Sequence, residues 1–212
     1  MKLGSRTAQQ SGFTLLELAV VLAILGLLIG MGADFVGNYL ERQRYTAAAT
    51  KLSAIDQAII RHVSVTRRLP CPDTNTPPDG TENTGGTNCT AAVGTIPWLT
   101  LGLVPDAVRD GQGNVFGYAI NVAQASTNGM SFAGSAAFTG TGLIVAEGGT
   151  DVQSPTATYP TGAAYVLIAP AWYDGTLSIT SGRVTLPASY ISALVRRPTV
   201  VEVATVAGTF TP

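Results

Sequence analysis

The sequence is poor in charged residues and contains almost no histidine. Only 12% of its 212 residues are Asp, Glu, Lys or Arg, whereas about 25% is usual in soluble domains. The single histidine, His62, excludes metal sites built on several imidazoles and weakens any Ser-His-Asp arrangement. The formal net charge of −1 gives no reason to expect nucleic acid as a partner.

Motifs that would identify an enzyme are also missing. The stretch GMSFAG (129–134) lacks the glycine spacing of a nucleophile elbow. The stretch GQGNVFG (111–117) lacks the GxGxxG spacing and the following helix of a dinucleotide site, so we interpret it as a turn. No two carboxylates fall in a convincing acid/base arrangement. We therefore expect no enzymatic activity, and we interpret His62 as a boundary residue of a helix face.

Cysteine is scarce, with only Cys71 and Cys89 in the chain. Neither has a histidine or a further cysteine nearby, so a zinc site would lack ligands. If this region lies outside the cytoplasm, a disulfide that closes a loop of about 19 residues is the natural interpretation. Such a bridge is expected to stabilise the fold by about 3 kcal/mol.

Proline is absent from residue 13 to residue 69, and this stretch begins with a long apolar run. Residues 13–33 (FTLLELAVVLAILGLLIGMGA) contain one ionisable side chain, that of Glu17. As a helix the run would be about 30 Å long, which matches the hydrocarbon core of a bilayer. Lys2 and Arg6 would keep the short N-terminal end in the cytoplasm, so the rest of the chain would be exported.

A secretory signal peptide is the alternative explanation of this apolar run. Small residues near Gly30 and Gly32 would suit a signal peptidase, but the run exceeds the usual apolar length of 7–15 residues. Glu17 speaks for a different role, because a carboxylate within a bilayer costs a few kcal/mol and usually has a functional partner.

Gly12 followed by FTLLEL (13–18) resembles the class III leader-cleavage site of type IV prepilins and type II secretion pseudopilins. The resemblance implies that a membrane-embedded prepilin peptidase cuts after Gly12 and methylates the amine of Phe13. It also implies that Glu17 pairs with the Phe13 amine of an adjacent subunit during assembly. The expected partners are this peptidase and methyltransferase, other pilin or pseudopilin subunits, the inner-membrane assembly platform and the inner membrane.

Apolar residues continue at helical spacing beyond the run, on one face of a helix that Pro70 would end. They are Tyr45, Ala48, Leu52, Ile55, Ile59 and Val63. We therefore divide the chain into a cleaved leader (1–12), a membrane and assembly half of one helix (13–33), its amphipathic half (34–69) and a globular head (70–212). The head is expected in the periplasm and then in a filament.

The start of the head gives a second resemblance to pseudopilins or minor pilins. It consists of LPCP (69–72) and DGQGNVFGYAI (110–120), with Asp110, Gly113, Asn114, Phe116 and Tyr118 in the matching positions. Alternation and composition predict strands at 115–122, 142–146, 163–169, 182–186 and 200–206, and a short helix at 188–197. The predicted fold class is α+β, a pilin-like ladle with one long N-terminal helix packed on an antiparallel sheet.

Two alternatives remain open at this point. Related pseudopilins hold Ca²⁺ with loop oxygens, and Asp151 and Asp174 lie in glycine-containing loops, although their spacing shows no regular ligand set. They are candidate calcium ligands. The simpler interpretation is that both aspartates form turns and bind no metal. The other function considered is a membrane-anchored periplasmic binding or adhesive domain that joins no filament.

Overall fold

The structure, a computed structural model, describes residues 14–138, 141–147, 149–155, 162–169, 177–186 and 194–211. The chain divides into two units, residues 1–43 and residues 44–212. Helix α1 (Leu15–Thr66) contains 52 residues and contributes to both units. Two short helices, α2 (Val122–Ala125) and α3 (Val200–Val206), belong to the second unit.

The predicted apolar face of α1 is confirmed within the second unit. Ala48, Leu52, Ile55, Ile59 and Val63 are almost completely buried in one cluster, and Tyr45 packs against its edge. No proline interrupts these turns. The helix ends at Thr66, after which the backbone of Arg67 turns into the left-handed region (φ 59°) and the chain reaches Leu69-Pro70. This ending agrees with the stop signal in the sequence.

The strands are short and lie in the second unit. In chain order they are β1 (Val93–Thr95), β2 (Gly117–Ile120), β3 (Phe132–Ala133), β4 (Ile144–Glu147), β5 (Thr150–Gln153), β6 (Tyr165–Ile168), β7 (Ser178–Thr180), β8 (Arg183–Leu186), β9 (Val195–Arg196) and β10 (Phe210–Thr211). Turns of 3-10 helix cover Pro105–Val108 and Ser135–Phe138. The sheet orders are β1-β2-β6-β9, β5-β4-β8-β7 and the pair β10-β3.

Strand β6 lies inside the first sheet and is buried on both faces. It pairs antiparallel with β2 on one side and with β9 on the other. Its alternate residues Tyr165 and Leu167 join the cluster that contains the face of α1, whereas Val166 and Ile168 join a second cluster with β4 and β8. The second unit therefore has three layers, helix, sheet and sheet, and the predicted α+β arrangement of a helix on an antiparallel sheet is confirmed.

The predicted strand at 200–206 is wrong, because these residues form helix α3. Thr199 is the N-cap, and its hydroxyl accepts the backbone N–H of Glu202 at 3.1 Å. The Glu202 carboxylate in turn accepts the backbone N–H of Thr199 at 2.7 Å. This reciprocal capping box satisfies donors that a helix otherwise leaves unpaired, and it outweighs the β preference of the valines.

The predicted helix at 188–197 is wrong at its C-terminal end. Val195 and Arg196 form β9, which completes the first sheet beside β6. Residues 187–193 lie outside the described part of the chain. The other four predicted strands overlap β2, β4, β6 and β8. The observed strands lie within the predicted bounds except for β4, which ends one residue later, at Glu147.

We expect Thr199→Ala to lower the free energy of unfolding by about 1 kcal/mol, because it removes the oxygen that caps α3. The matched control is Thr205→Ala, since Thr205 is exposed within the same helix and makes no capping contact with its side chain. Urea unfolding of both variants measures the difference. Equal stability of the two variants would show that the capping box contributes nothing.

Candidate processing and assembly site

The N-terminal end of α1 is defined by Thr14. Its hydroxyl accepts the backbone N–H of Glu17 at 3.2 Å, and its carbonyl accepts the N–H of Leu18 at 3.1 Å. Thr14 and Glu17 have the same T-x-x-E spacing as Thr199 and Glu202, so both helices begin on the same local signal. Gly12 and Phe13, the predicted cleavage and methylation residues, lie outside the described residues.

The first unit exposes a long series of apolar side chains in the single chain. At least half of the side-chain surface is exposed at Leu15, Leu16, Leu18, Val20, Leu22, Ile24, Leu27 and Ile29. Contiguous apolar surface of this kind marks an interaction site. Among the described residues, no helix contains a segment that is both long enough and apolar enough to cross a membrane.

Glu17 is exposed on this apolar segment. Its backbone N–H is held by Thr14, but its carboxylate makes no hydrogen bond or ion pair with another residue that the structure describes. A carboxylate in apolar surroundings favours a cationic or N–H partner once water is removed. Within the described segment, the side chain is therefore available to a group from outside the chain.

In the second unit, Cys71 and Cys89 form a disulfide with their Cα atoms 5.3 Å apart. The bridge lies beside a charged pair at the end of α1. The Arg68 guanidinium donates to both carboxylate oxygens of Glu82, at 2.8 and 2.6 Å, and the backbone N–H of Cys71 donates to Glu82 at 3.0 Å. Glu82 thus ties the C-terminal end of the helix to the disulfide-closed loop.

The pKa values of His62 and Glu82 reflect this half-buried position. Burial lowers the pKa of His62, and the nearby Arg68 charge lowers it further. For Glu82, burial alone would raise the pKa, but the hydrogen bonds from Arg68 and Cys71 and the charge of Arg68 lower it below its usual value of 4.5. His62 is partly buried, as expected for a residue at the boundary of the helix face.

The segment 110–118, which carries the second resemblance, forms a turn that leads into β2. The Asp110 carboxylate accepts the backbone N–H groups of Gln112 and Asn114 at 2.8 and 2.9 Å. Phe116 and Tyr118 are fully buried against the face of α1. This local network fixes where the first sheet begins.

Two sets of polar contacts that the sequence analysis missed hold the C-terminal part of α1, which belongs to the second unit, against the rest of that unit. The Lys51 ammonium donates to the carbonyls of Asp106 and Arg109 at 2.8 and 3.0 Å. The hydroxyl of Tyr165 donates to the Asp56 carboxylate at 2.5 Å, and burial followed by the charge of Asp56 raises the Tyr165 pKa well above its usual value. Both helix residues are polar positions flanking the apolar face, which is the signal that could have identified them.

The structure describes only one of the two calcium candidates. The Asp151 carboxylate forms an ion pair with Arg183, and Asp174 lies outside the described residues. No cluster of three or more potential metal-ligating side chains occurs in the described ranges. Calcium binding stays a prediction from the sequence.

We expect Glu82→Gln to destabilise the chain by about 1–3 kcal/mol at pH 7, because it removes the charged partner of Arg68. The lowered pKa of Glu82 in the folded chain means that its contribution is present above the unfolded pKa and is lost as the pH falls through the lower folded value. The difference between the two proteins should therefore shrink on acidification. Denaturant unfolding at pH 7 and at about pH 3 tests this, and a difference independent of pH would contradict it.

The comparisons with known proteins agree with the N-terminal geometry. Residues 7–33 match the prokaryotic N-terminal methylation motif, and the match includes Gly12, Phe13, Thr14 and Glu17. No curated protein and no solved structure matches the chain. The exposed apolar helix that begins at Leu15 is therefore continuous with a recognised processing signal: residues 7–33 carry the methylation motif that forms the class III leader of type IV prepilin-like proteins.

Proposed function

We propose that this chain is a structural subunit, a pseudopilin or minor pilin, of a type II secretion pseudopilus or a type IV pilus. The observation that carries the proposal is the methylation motif at residues 7–33, which leads directly into the exposed apolar turns of α1. Such a motif implies a protein that is processed and assembled rather than an enzyme.

In this proposal the precursor lies in the inner membrane with residues 1–12 in the cytoplasm and the globular unit in the periplasm. The prepilin peptidase and methyltransferase cuts after Gly12 and methylates Phe13. The inner-membrane assembly platform then adds the mature chain to other subunits. The disulfide between Cys71 and Cys89 fits an oxidising compartment outside the cytoplasm.

Assembly would depend on the charge of Glu17. Before assembly its carboxylate has no charged partner among the described residues, and cleavage after Gly12 would make the Phe13 amine a new cation at the end of the apolar segment. When the apolar segments pack together, both groups lose contact with water or lipid headgroups, so pairing between adjacent subunits offsets the cost of burial. The exposed apolar side chains around Glu17 supply the packing surface.

Processing is tested by intact-mass measurement and N-terminal sequencing of the full chain from cells with and without their prepilin peptidase. We expect a mature protein that begins with N-methylated Phe13 in the first strain and the uncut precursor in the second. Cleavage near residue 32, or no cleavage in either strain, would indicate a secretory signal or a simple anchor and would overturn the proposal.

Assembly is tested by Glu17→Ala, with Glu41→Ala as the control because Glu41 is an exposed acidic residue of the same helix outside the apolar run. We expect Glu17→Ala to be processed normally but to reduce subunits in the sheared filament fraction by roughly tenfold or more, since it leaves the Phe13 amine unpaired. Normal incorporation of the Glu17 variant at wild-type expression would contradict the pairing mechanism.

A further inference from the structure

The second unit contains a groove of about 490 Å³, here called the β9 groove, between α1, the strand β9 with the two residues that follow it, and α3. Its apolar walls are formed by Ile60 of α1 and by Val203 and Val206 of α3. Val206 is 69% exposed although it lies beside buried core residues. The groove therefore presents apolar surface to solvent along the edge of a sheet.

β9 is the last strand of its sheet, and no other strand in the described ranges pairs with its outer edge. The N–H of Ala169 donates to the carbonyl of Leu194 at 3.2 Å, and Ile168 lies opposite Val195. In an antiparallel pair this register makes Val195 a non-hydrogen-bonded position, so its N–H and C=O point away from β6. By the two-residue period of a strand, those of Arg197 have the same direction. Val195 is only 8% exposed, but both it and Arg197 line the groove. A strand edge that borders a groove is a template for an added strand.

Two arginines that line the groove have guanidinium N–H groups without an acceptor among the described residues. The side chain of Arg196 is exposed and makes no hydrogen bond or ion pair with any residue in the described ranges. Arg197 approaches Glu147 with Nη2 at 3.3 Å, but its buried Nη1 has no hydrogen-bond partner there. A buried donor without an acceptor is costly, and a carboxylate is the acceptor that a guanidinium binds best.

The acidic residues of the groove do not supply a carboxylate acceptor for these arginines. The Asp56 carboxylate accepts the hydroxyl of Tyr165 at 2.5 Å. The Glu202 carboxylate accepts the N–H and the hydroxyl of Thr199 in the capping box. Both are held by neutral donors within the fold, whereas the exposed Arg196 has no acidic partner in the described ranges and can bind an occupant of opposite charge.

We propose that the β9 groove binds an extended, acidic segment of another protein as an added strand. Its backbone pairs with Val195 and Arg197, its apolar side chains lie on Ile60, Val203 and Val206, and a carboxylate binds the exposed Arg196. The complementarity combines main-chain pairing, which gives affinity, with a charged contact that selects the sequence. This function is additional to filament assembly and does not depend on it.

The probe is a fluorescein-labelled octapeptide that alternates valine and threonine and has one central glutamate. Binding to the full mature chain in detergent micelles is followed by fluorescence anisotropy. Two matched peptides replace the glutamate by lysine or the central residues by proline, which removes main-chain donors. We expect the glutamate peptide to bind roughly tenfold more tightly than either control peptide.

Variants of the chain assign the binding to the groove. Arg196→Glu should weaken the glutamate peptide by roughly tenfold and should improve binding of the lysine peptide, whereas Arg196→Lys should retain most of the affinity. Val206→Asp should weaken all strand-forming peptides, since the exposed Val206 supports the apolar contact without carrying the core. The control is Arg61→Glu, because Arg61 is exposed on α1 and does not line the groove.

Equal binding of the three peptides, or no binding up to about 1 mM, would overturn the proposal. So would an Arg61→Glu effect as large as that of Arg196→Glu, since this would indicate a general charge effect.

Sedimentation of the full chain measures its self-association and provides a further outcome. If Arg196→Glu abolishes self-association while no peptide binds, a second copy of this chain occupies the groove and the proposed partner is wrong. Normal processing at Phe13 in every case keeps this result separate from the filament proposal.

Discussion

The burial of one helix face on the first sheet is the contact on which the second unit depends. Leu52, Ile55 and Ile59 are fully buried against Tyr118, Tyr165 and Leu167 of the sheet. Large apolar side chains of this kind each contribute about 1.5–3 kcal/mol when removed from water. Hydrogen bonds flank this apolar face, made by Lys51 and by the Tyr165–Asp56 pair. They fix the position of the helix but supply less of the stability than the apolar contacts.

Strand β6 extends the same constraint to the other layer. Because its residues alternate between two apolar environments, Tyr165 and Leu167 hold α1 while Val166 and Ile168 hold the second sheet. A shift of one residue in the pairing with β2 would exchange these faces of β6 and place Tyr165 against the wrong layer. The register of one four-residue strand therefore positions α1 and β9, which form two walls of the β9 groove.

Sequence reasoning succeeded where one physical signal dominated. The three-and-four spacing from Tyr45 to Val63 predicted the buried face of α1, and the dense motif at Gly12–Leu18 predicted the class of leader that the comparisons found.

Sequence reasoning failed at Val200–Val206, where β-branched residues suggested a strand and the Thr199–Glu202 capping box produced a helix. It also could not locate Glu82, because a loop rich in proline, glycine and asparagine gives no periodicity from which its contact with Arg68 follows. The β9 groove was equally hidden, since it joins residues from two distant stretches of chain, one in α1 and one from β9 to α3.

The long sequence separation of these contacts has a consequence for biosynthesis. The partner of Asp56 is Tyr165, a separation of 109 residues, and β9 closes the same sheet at residues 195–196. The apolar face of α1 is synthesised early, whereas strands β6 and β9 of the sheet that buries it are synthesised late. The apolar face therefore stays uncovered during most of translation and export. A chain truncated before Tyr165 would therefore keep the apolar face of α1 uncovered and would need a holding chaperone.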